Sequence, residues 1–229
     1  MWASSCRRTG LRCSCWESCR SRSCSCASTR SKACERSLRD VKDLSERRLS
    51  SKLVYDGKLL KVRSDTVRLP DGGTAEREFI EHPGAVAVIA LTDAGELVME
   101  RQYRYPLGRD MIEIPAGKID AGEDPLASAR RELKEETGYT AAQWLHVATI
   151  NIAIAYSNER IEIYLAKELK HEGAKLDEEE FLDVFTLPLA TALAWVREGK
   201  ITDSKTVAGL FWAEKVLGGE WAERPKTDI

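Results

Sequence analysis

Within Arg130-Arg131-Glu132-Leu133-Lys134-Glu135-Glu136 stand three carboxylates, at positions i, i+3 and i+4. Side chains at that spacing share one face of a helix, so their negative charges are aimed at one region. Crowded anions repel each other, and a divalent cation is the usual reason for a chain to keep them together. Clustered hard oxygen ligands favour Mg²⁺ or Mn²⁺. A solvated acidic face on a surface helix is the competing account of the same three residues.

The neighbouring residues specify the element that must carry them. Asp124 is placed to cap a helix and Pro125 to occupy its first position, where a missing N–H costs nothing. Leu126, Ala129 and Leu133 fall at i, i+3 and i+7, which predicts a buried stripe along that helix. Gly138 follows the last turn, where a left-handed residue is common. Arg131 lies four residues before Glu135, within reach of its carboxylate. A loop–helix–loop spanning Gly117 to Tyr139 follows from these positions.

The full spacing is Gly117, five residues, Glu123, seven residues, Arg131-Glu132-Leu133, one residue, Glu135-Glu136, one residue, Gly138-Tyr139. Every fixed position of the Nudix box is filled, and the chain resembles the Nudix hydrolases. That resemblance implies an α/β fold, the Nudix α/β/α sandwich with a mixed sheet. It also implies hydrolysis of a nucleoside diphosphate linked to another moiety, with Mg²⁺ as cofactor and Mn²⁺ as a substitute. By motif position Glu132, Glu135 and Glu136 are metal ligands, Glu135 sharing a metal, and the carbonyl of Ala116 completes one site. Glu123 and Arg131 are implied to fix the loop and the glutamates.

Upstream, residues 52–63 and 65–69 alternate apolar and polar and end at Leu69-Pro70-Asp71-Gly72-Gly73, a hairpin signal. The chain returns from Ala75 to Glu81. A buried strand is predicted at Ala85–Leu91, with further strands at Glu96–Tyr103, Met111–Ile114, Trp144–Ile154 and Ile161–Ala166. Helices are predicted at about 189–198 and 204–217, with Pro188 and Asp203 in starting positions. A small antiparallel sheet ahead of the core, followed by RQYRYPLGRDMIEIPAGKID, is similar to the ADP-ribose pyrophosphatase branch. The branch resemblance implies ADP-ribose as substrate, AMP and ribose 5-phosphate as products, and a cytoplasmic homodimer whose two chains share each pocket.

It also implies a general base on the loop after the box. Glu159 is the acid there; Glu162 is the alternative, read as an outward-facing strand residue. Arg77 and Arg104 correspond to arginines that contact substrate, and Glu113, in the strand before the box, is a third substrate-binding candidate. Tyr103 and Tyr105 read as core or interface, and His82, His146 and His171 as isolated histidines. One departure leaves the substrate open. The branch often has a proline sixteen residues beyond the last box glycine, where Ile154 stands here. Another nucleotide sugar, NADH or a dinucleoside polyphosphate is the alternative substrate, and a non-catalytic nucleotide-sensing module the alternative class.

Composition divides the chain. All seven cysteines lie in the first thirty-four of 229 residues. Residues 1–40 also carry ten serines and nine Lys/Arg against three Asp/Glu, a local charge of +6, so the remainder carries −8 of the total −2. That segment has too little apolar content for a core and is expected to be a disordered leader, with translation expected to start at Val41. Residues 41–82 are assigned to the N-terminal dimerising sheet and 83–229 to the hydrolase domain. No apolar run is long enough to span a membrane, and the acidic remainder gives no reason to expect nucleic-acid binding.

Overall fold

The computed structural model describes residues 43–174 and 181–221; the expected leader and the start at Val41 lie outside them. The chain divides into two compact units. The smaller includes the turn Leu69–Gly73, which closes on itself through the Leu69 N–H to the Gly73 carbonyl (2.9 Å) and the Gly73 N–H to Asp71 Oδ1 (2.8 Å). The larger contains Arg47–Arg68 and the chain from Thr74 onward.

Three antiparallel strands open the larger unit: β1 (Arg47–Asp56), β2 (Lys61–Arg68) and β3 (Thr74–Glu81). The strand expected over 52–63 is therefore two. Asp56-Gly57 is a turn pair, and the Gly57 N–H reaches the Leu60 carbonyl (2.9 Å) to reverse the chain. Every residue of β1 is exposed, including Leu49, Leu53, Val54 and Tyr55.

The core is built around β4 (Ala85–Ala90), a run with every residue buried. It pairs in parallel with β9 (Arg160–His171) and antiparallel with β7 (Ala116–Lys118), while β8 (Tyr139–Asn151) completes a mixed sheet of order β7-β4-β9-β8. A second sheet has the order β10-β5-β6, from β10 (Leu182–Pro188), β5 (Glu96–Arg104) and β6 (Arg109–Glu113). Strands β7 and β10 have no counterpart in the sequence reading. The first is three residues straddling the start of the box, and the second is too mixed in polarity to show a period.

Alternate residues of β4 serve two separate cores. Val86, Val88 and Ala90 pack with Ala129 and Leu133 of the box helix, α1 (Pro125–Thr137). Ala85, Ala87 and Ile89 face Leu97, Met99, Ile114, Ile163 and Leu210 on the other side. There α2 (Leu189–Arg197) and α3 (Ser204–Leu217) close the layer. A central strand covered on both faces must be apolar at every position, which is why Ala85–Ala90 reads as an unbroken run. Each fully buried Val or Ile there contributes roughly 1.5–3 kcal/mol, so the site stands on a stiff base.

The box helix forms for the reasons its sequence suggests. Asp124 Oδ2 accepts from the Leu126 and Ala127 N–H groups (3.0 and 3.1 Å), Pro125 starts the first turn, and Gly138 ends it at φ 75°. Gly138 is also needed sterically, since a Cβ there would lie 2.5 Å from the Ala174 nitrogen.

Candidate active site

The end of β7, the exposed face of α1 and the loop between β8 and β9 enclose a cleft of about 700 Å³. Its wall includes Ala116, Gly117, Glu132, Glu135, Glu136 and Arg131 on one side, with His82, Glu159, Arg104 and Lys205 among the others. The box thus delivers its carboxylates to a concave surface, and the solvated-face account of the three glutamates is set aside.

Gly117 and Glu132 are matched by shape. A Cβ built on Gly117 would fall 1.9 Å from the Glu132 carboxyl carbon, so that carboxylate rests where any side chain would be. Glu136, one turn further along α1, is buried, and its Oε2 accepts from the Ala116 N–H at 3.0 Å. Both glutamates are therefore drawn against the same short strand. Arg131 holds the row from outside. Its Nη1 donates to Glu132 (2.9 Å) and Glu135 (3.1 Å), while its Nε and Nη2 clasp Glu123 (3.1 and 2.9 Å). The guanidinium beside it holds the Glu123 carboxyl down at about 2, and the same partners raise Arg131 above its already high value. Glu123 in turn accepts from the Asp120 N–H (3.3 Å) and so stiffens the loop.

Among the described residues, no three His, Cys, Asp or Glu side chains gather closely enough to chelate an ion as they stand. The residues nonetheless fit a divalent cation by chemistry. Three hard carboxylates and the Ala116 backbone line one wall, and Gly117 leaves space for one of them. Sulfur and imidazole donors are absent from that wall.

Behind the row lies a charge network that the sequence reading only half contained. Glu113 is almost fully buried and does not line the cleft; it takes two bonds from Arg104 (2.6 and 2.8 Å) and one from Lys205. Burial pushes the Glu113 carboxyl up, but these two cations outweigh it and leave it at about 2. Lys205 also bonds Asp203 (3.0 Å), the residue that caps α3 through the Thr206 N–H (2.9 Å). Thr206 Oγ1 then accepts from the buried Ile114 N–H (3.0 Å), so the start of α3 is tied to the strand leading into the box. Arg104 and Lys205 reach the cleft from this platform.

Glu100 was missed from sequence, although an acid ending the buried run Leu97-Val98-Met99 is a legible anomaly. Burial, then the nearby Glu113 charge, raises it to about 8, and it is hydrogen-bonded to Glu136. Its Oε1 is buried without a partner.

The remaining candidates separate cleanly. Glu159 lines the cleft, 24% exposed at its side chain. Glu162 does not face outward as expected. It is 9% exposed and bonded to His146 Nε2 (2.8 Å) and Thr149 Oγ1 (2.7 Å), because its turn of β9 faces the box-helix side of the sheet. Arg77 is exposed on β3 and does not line the cleft of a single chain. Tyr103 and Tyr105 are exposed rather than core. His82, read as isolated, lines the cleft.

Residues 81–208 match the NUDIX domain family, more than half of the chain. The chain belongs to the Nudix family. As a Nudix hydrolase it also matches, over residues 46–80, the nucleoside diphosphate sugar hydrolase N-terminal domain. It is 44% identical to the methanol dehydrogenase activator of Bacillus methanolicus, over 74% of this chain and 92% of that protein. It is 40% identical to the ADP-ribose pyrophosphatase of Bacillus subtilis (strain 168), over 76% of this chain and 95% of that one. Among solved structures, an ADP compounds hydrolase superposes with a TM-score of 0.69 at 26% identity, covering 79% of this Nudix hydrolase and 98% of that chain.

Proposed function

We propose that this Nudix hydrolase cleaves the pyrophosphate bond of ADP-ribose in a Mg²⁺-dependent reaction, giving AMP and ribose 5-phosphate. The observation that carries the reading is that the box carboxylates and Glu159 line one cleft, so that a water between them has both a cation site and a proton acceptor within one enclosure. The ADP-ribose pyrophosphatase of Bacillus subtilis, similar over most of its length, supports the choice of substrate.

Attack of water on a pyrophosphate is opposed by the negative oxygens around phosphorus. A bound divalent cation neutralises them and lowers the pKa of the attacking water. Glu132, Glu135, Glu136 and the Ala116 carbonyl would hold the ion. Arg131 and Glu123 keep those carboxylates in one arrangement, as outer-shell partners of a metal site do. Glu159 takes the proton from the water, a reading supported by the bonds that engage the alternative acid, Glu162, with His146 and Thr149. Arg104 binds the diphosphate or the terminal ribose with its free edge, while Glu113 orients it and Lys205 adds a second cation.

Arg77 belongs to the same scheme only if a second chain supplies it. The wholly exposed β1 with four large apolar residues supports a homodimer through the N-terminal sheets, since an isolated sheet of three strands leaves such a face in water. A second substrate reading retains the chemistry: Ile154, standing where the branch often has proline, favours another nucleoside diphosphate derivative. The two are separated by product analysis on ADP-ribose, ADP-glucose, NADH and diadenosine polyphosphate. Release of AMP and ribose 5-phosphate at the highest kcat/KM from ADP-ribose is expected. Faster cleavage of another substrate transfers the assignment to it.

A further inference from the structure

The loop between β8 and β9 is not free-standing. It runs alongside β3 as a short parallel addition to the N-terminal sheet, with Ile80 paired to Ser157. The Ile80 N–H donates to the Tyr156 carbonyl (2.8 Å), and the Asn158 N–H and Ser157 Oγ both donate to the Ile80 carbonyl (3.4 Å each). Asn158 Oδ1 accepts from the His82 N–H (2.8 Å). Within the loop, Ser157 Oγ accepts from the Glu159 N–H (3.1 Å). Ser157 therefore contacts β3 and the backbone of Glu159 at once.

His82, one residue beyond β3, finishes the arrangement. Its Nδ1 accepts from the Gly84 N–H (3.1 Å), which assigns the neutral ring's proton to Nε2. That Nε2 lies 3.9 Å from Glu159 Oε1, with both side chains largely enclosed in the cleft. Burial pushes the imidazole below its ordinary value, against the opposing pull of Glu159, and Lys118 pushes it the same way as burial.

We infer that His82 is a positioning residue for Glu159, and that β3 with the clasp through Asn158 and Ser157 sets where the proton acceptor stands. The inference rests on the reading of Glu159 as general base. A carboxylate on a loop samples many rotamers. At 3.9 Å the His82 N–H is too far for a hydrogen bond in this arrangement. When substrate is bound and the contact tightens, a donor on one carboxylate oxygen restricts the rotamers and leaves the other oxygen to the water. The N-terminal sheet is then part of the catalytic apparatus of its own chain, not only a candidate surface for a second copy.

The test is a double-mutant cycle with His82→Phe and Glu159→Gln, together with His82→Gln, which restores a donor, and Asn158→Ala. Each is assayed for kcat, KM and thermal midpoint on the substrate that wild type cleaves fastest. The expected result is a kcat loss of about 10- to 100-fold in His82→Phe, the range for outer-shell partners of catalytic groups. KM and midpoint should hold, His82→Gln should recover part of the loss, and His82→Phe should add nothing to Glu159→Gln. Asn158→Ala should lower kcat in the same direction. Full and additive losses in the double mutant would overturn the inference while leaving Glu159 as base. So would equal losses in His82→Phe and His82→Gln accompanied by a fall in midpoint, which mark a structural role. An active Glu159→Gln removes the base reading itself, and the inference with it.

Discussion

At the scale of single residues, Gly117 shows how a backbone position can be a catalytic requirement. Its lack of a side chain is what admits the Glu132 carboxylate beside the strand. Gly117→Ala places a methyl 1.9 Å from the Glu132 carboxyl carbon, and the carboxylate must leave. The expected outcome is loss of hydrolysis by about 100-fold or more, since displacing a ligand by an ångström costs that much in well-oriented sites. Circular dichroism should show the fold intact, because the strand itself need not move. Near-wild-type turnover would mean that Glu132 is not held where it acts. The placement of the box residues was legible from sequence because it is set by spacing along one helix. Glu100, Lys205 and His82 were not, since each reaches the site from a different element and only the fold brings them there. Glu162 failed for a related reason: period-2 alternation tells which residues share a face, not which face is covered.

At the scale of elements, the Glu113 cluster joins β5, β6 and α3 through Arg104, Lys205 and Asp203. Its folded-state pKa of about 2 lies below the unfolded carboxylate value near 4.5. A depressed acid contributes stability that is present above the unfolded value and lost as pH falls toward the folded one. The contribution is on the order of 3 kcal/mol for a shift of this size, and it should disappear between about pH 4.5 and pH 2. Urea titrations over that range should show wild type losing stability more steeply than Glu113→Gln, which starts lower and titrates less. Parallel curves would remove Glu113 from the acid-sensitive set. The capped helices and the strand β4 were legible, because each carries a local signal of its own: Asp124 and Asp203 as caps, and the run Ala85–Ala90 as a core strand. The short strands β7 and β10 were not, because they exist through pairing with β4 and β5 rather than through a pattern of their own.

For the whole molecule, the exposed β1 and the absence of Arg77 from the lining of the single-chain cleft both bear on assembly. Leu53→Asp with Tyr55→Asp places charges on that face. If the sheets of two chains meet there, sedimentation equilibrium should shift from dimer to monomer, and kcat/KM should fall with it as Arg77 is lost from the shared pocket. A dimer that survives the double substitution would locate the interface elsewhere. The charge asymmetry between the first forty residues and the rest was plain in the sequence, whereas a surface shared by two chains leaves no mark there beyond exposed apolar residues in a short strand.

The glutamates on α1 are proposed to serve one divalent cation site at which a nucleoside diphosphate derivative is hydrolysed. The most direct measurement is ADP-ribose turnover as Mg²⁺ is added to EDTA-treated protein, for wild type beside Glu136→Gln. Saturable activation of wild type is expected, with AMP and ribose 5-phosphate as products. Glu136→Gln should remain at least about 100-fold slower at any Mg²⁺ concentration. Turnover that is indifferent to EDTA, or a Glu136→Gln variant that follows the wild-type curve, would contradict that proposal.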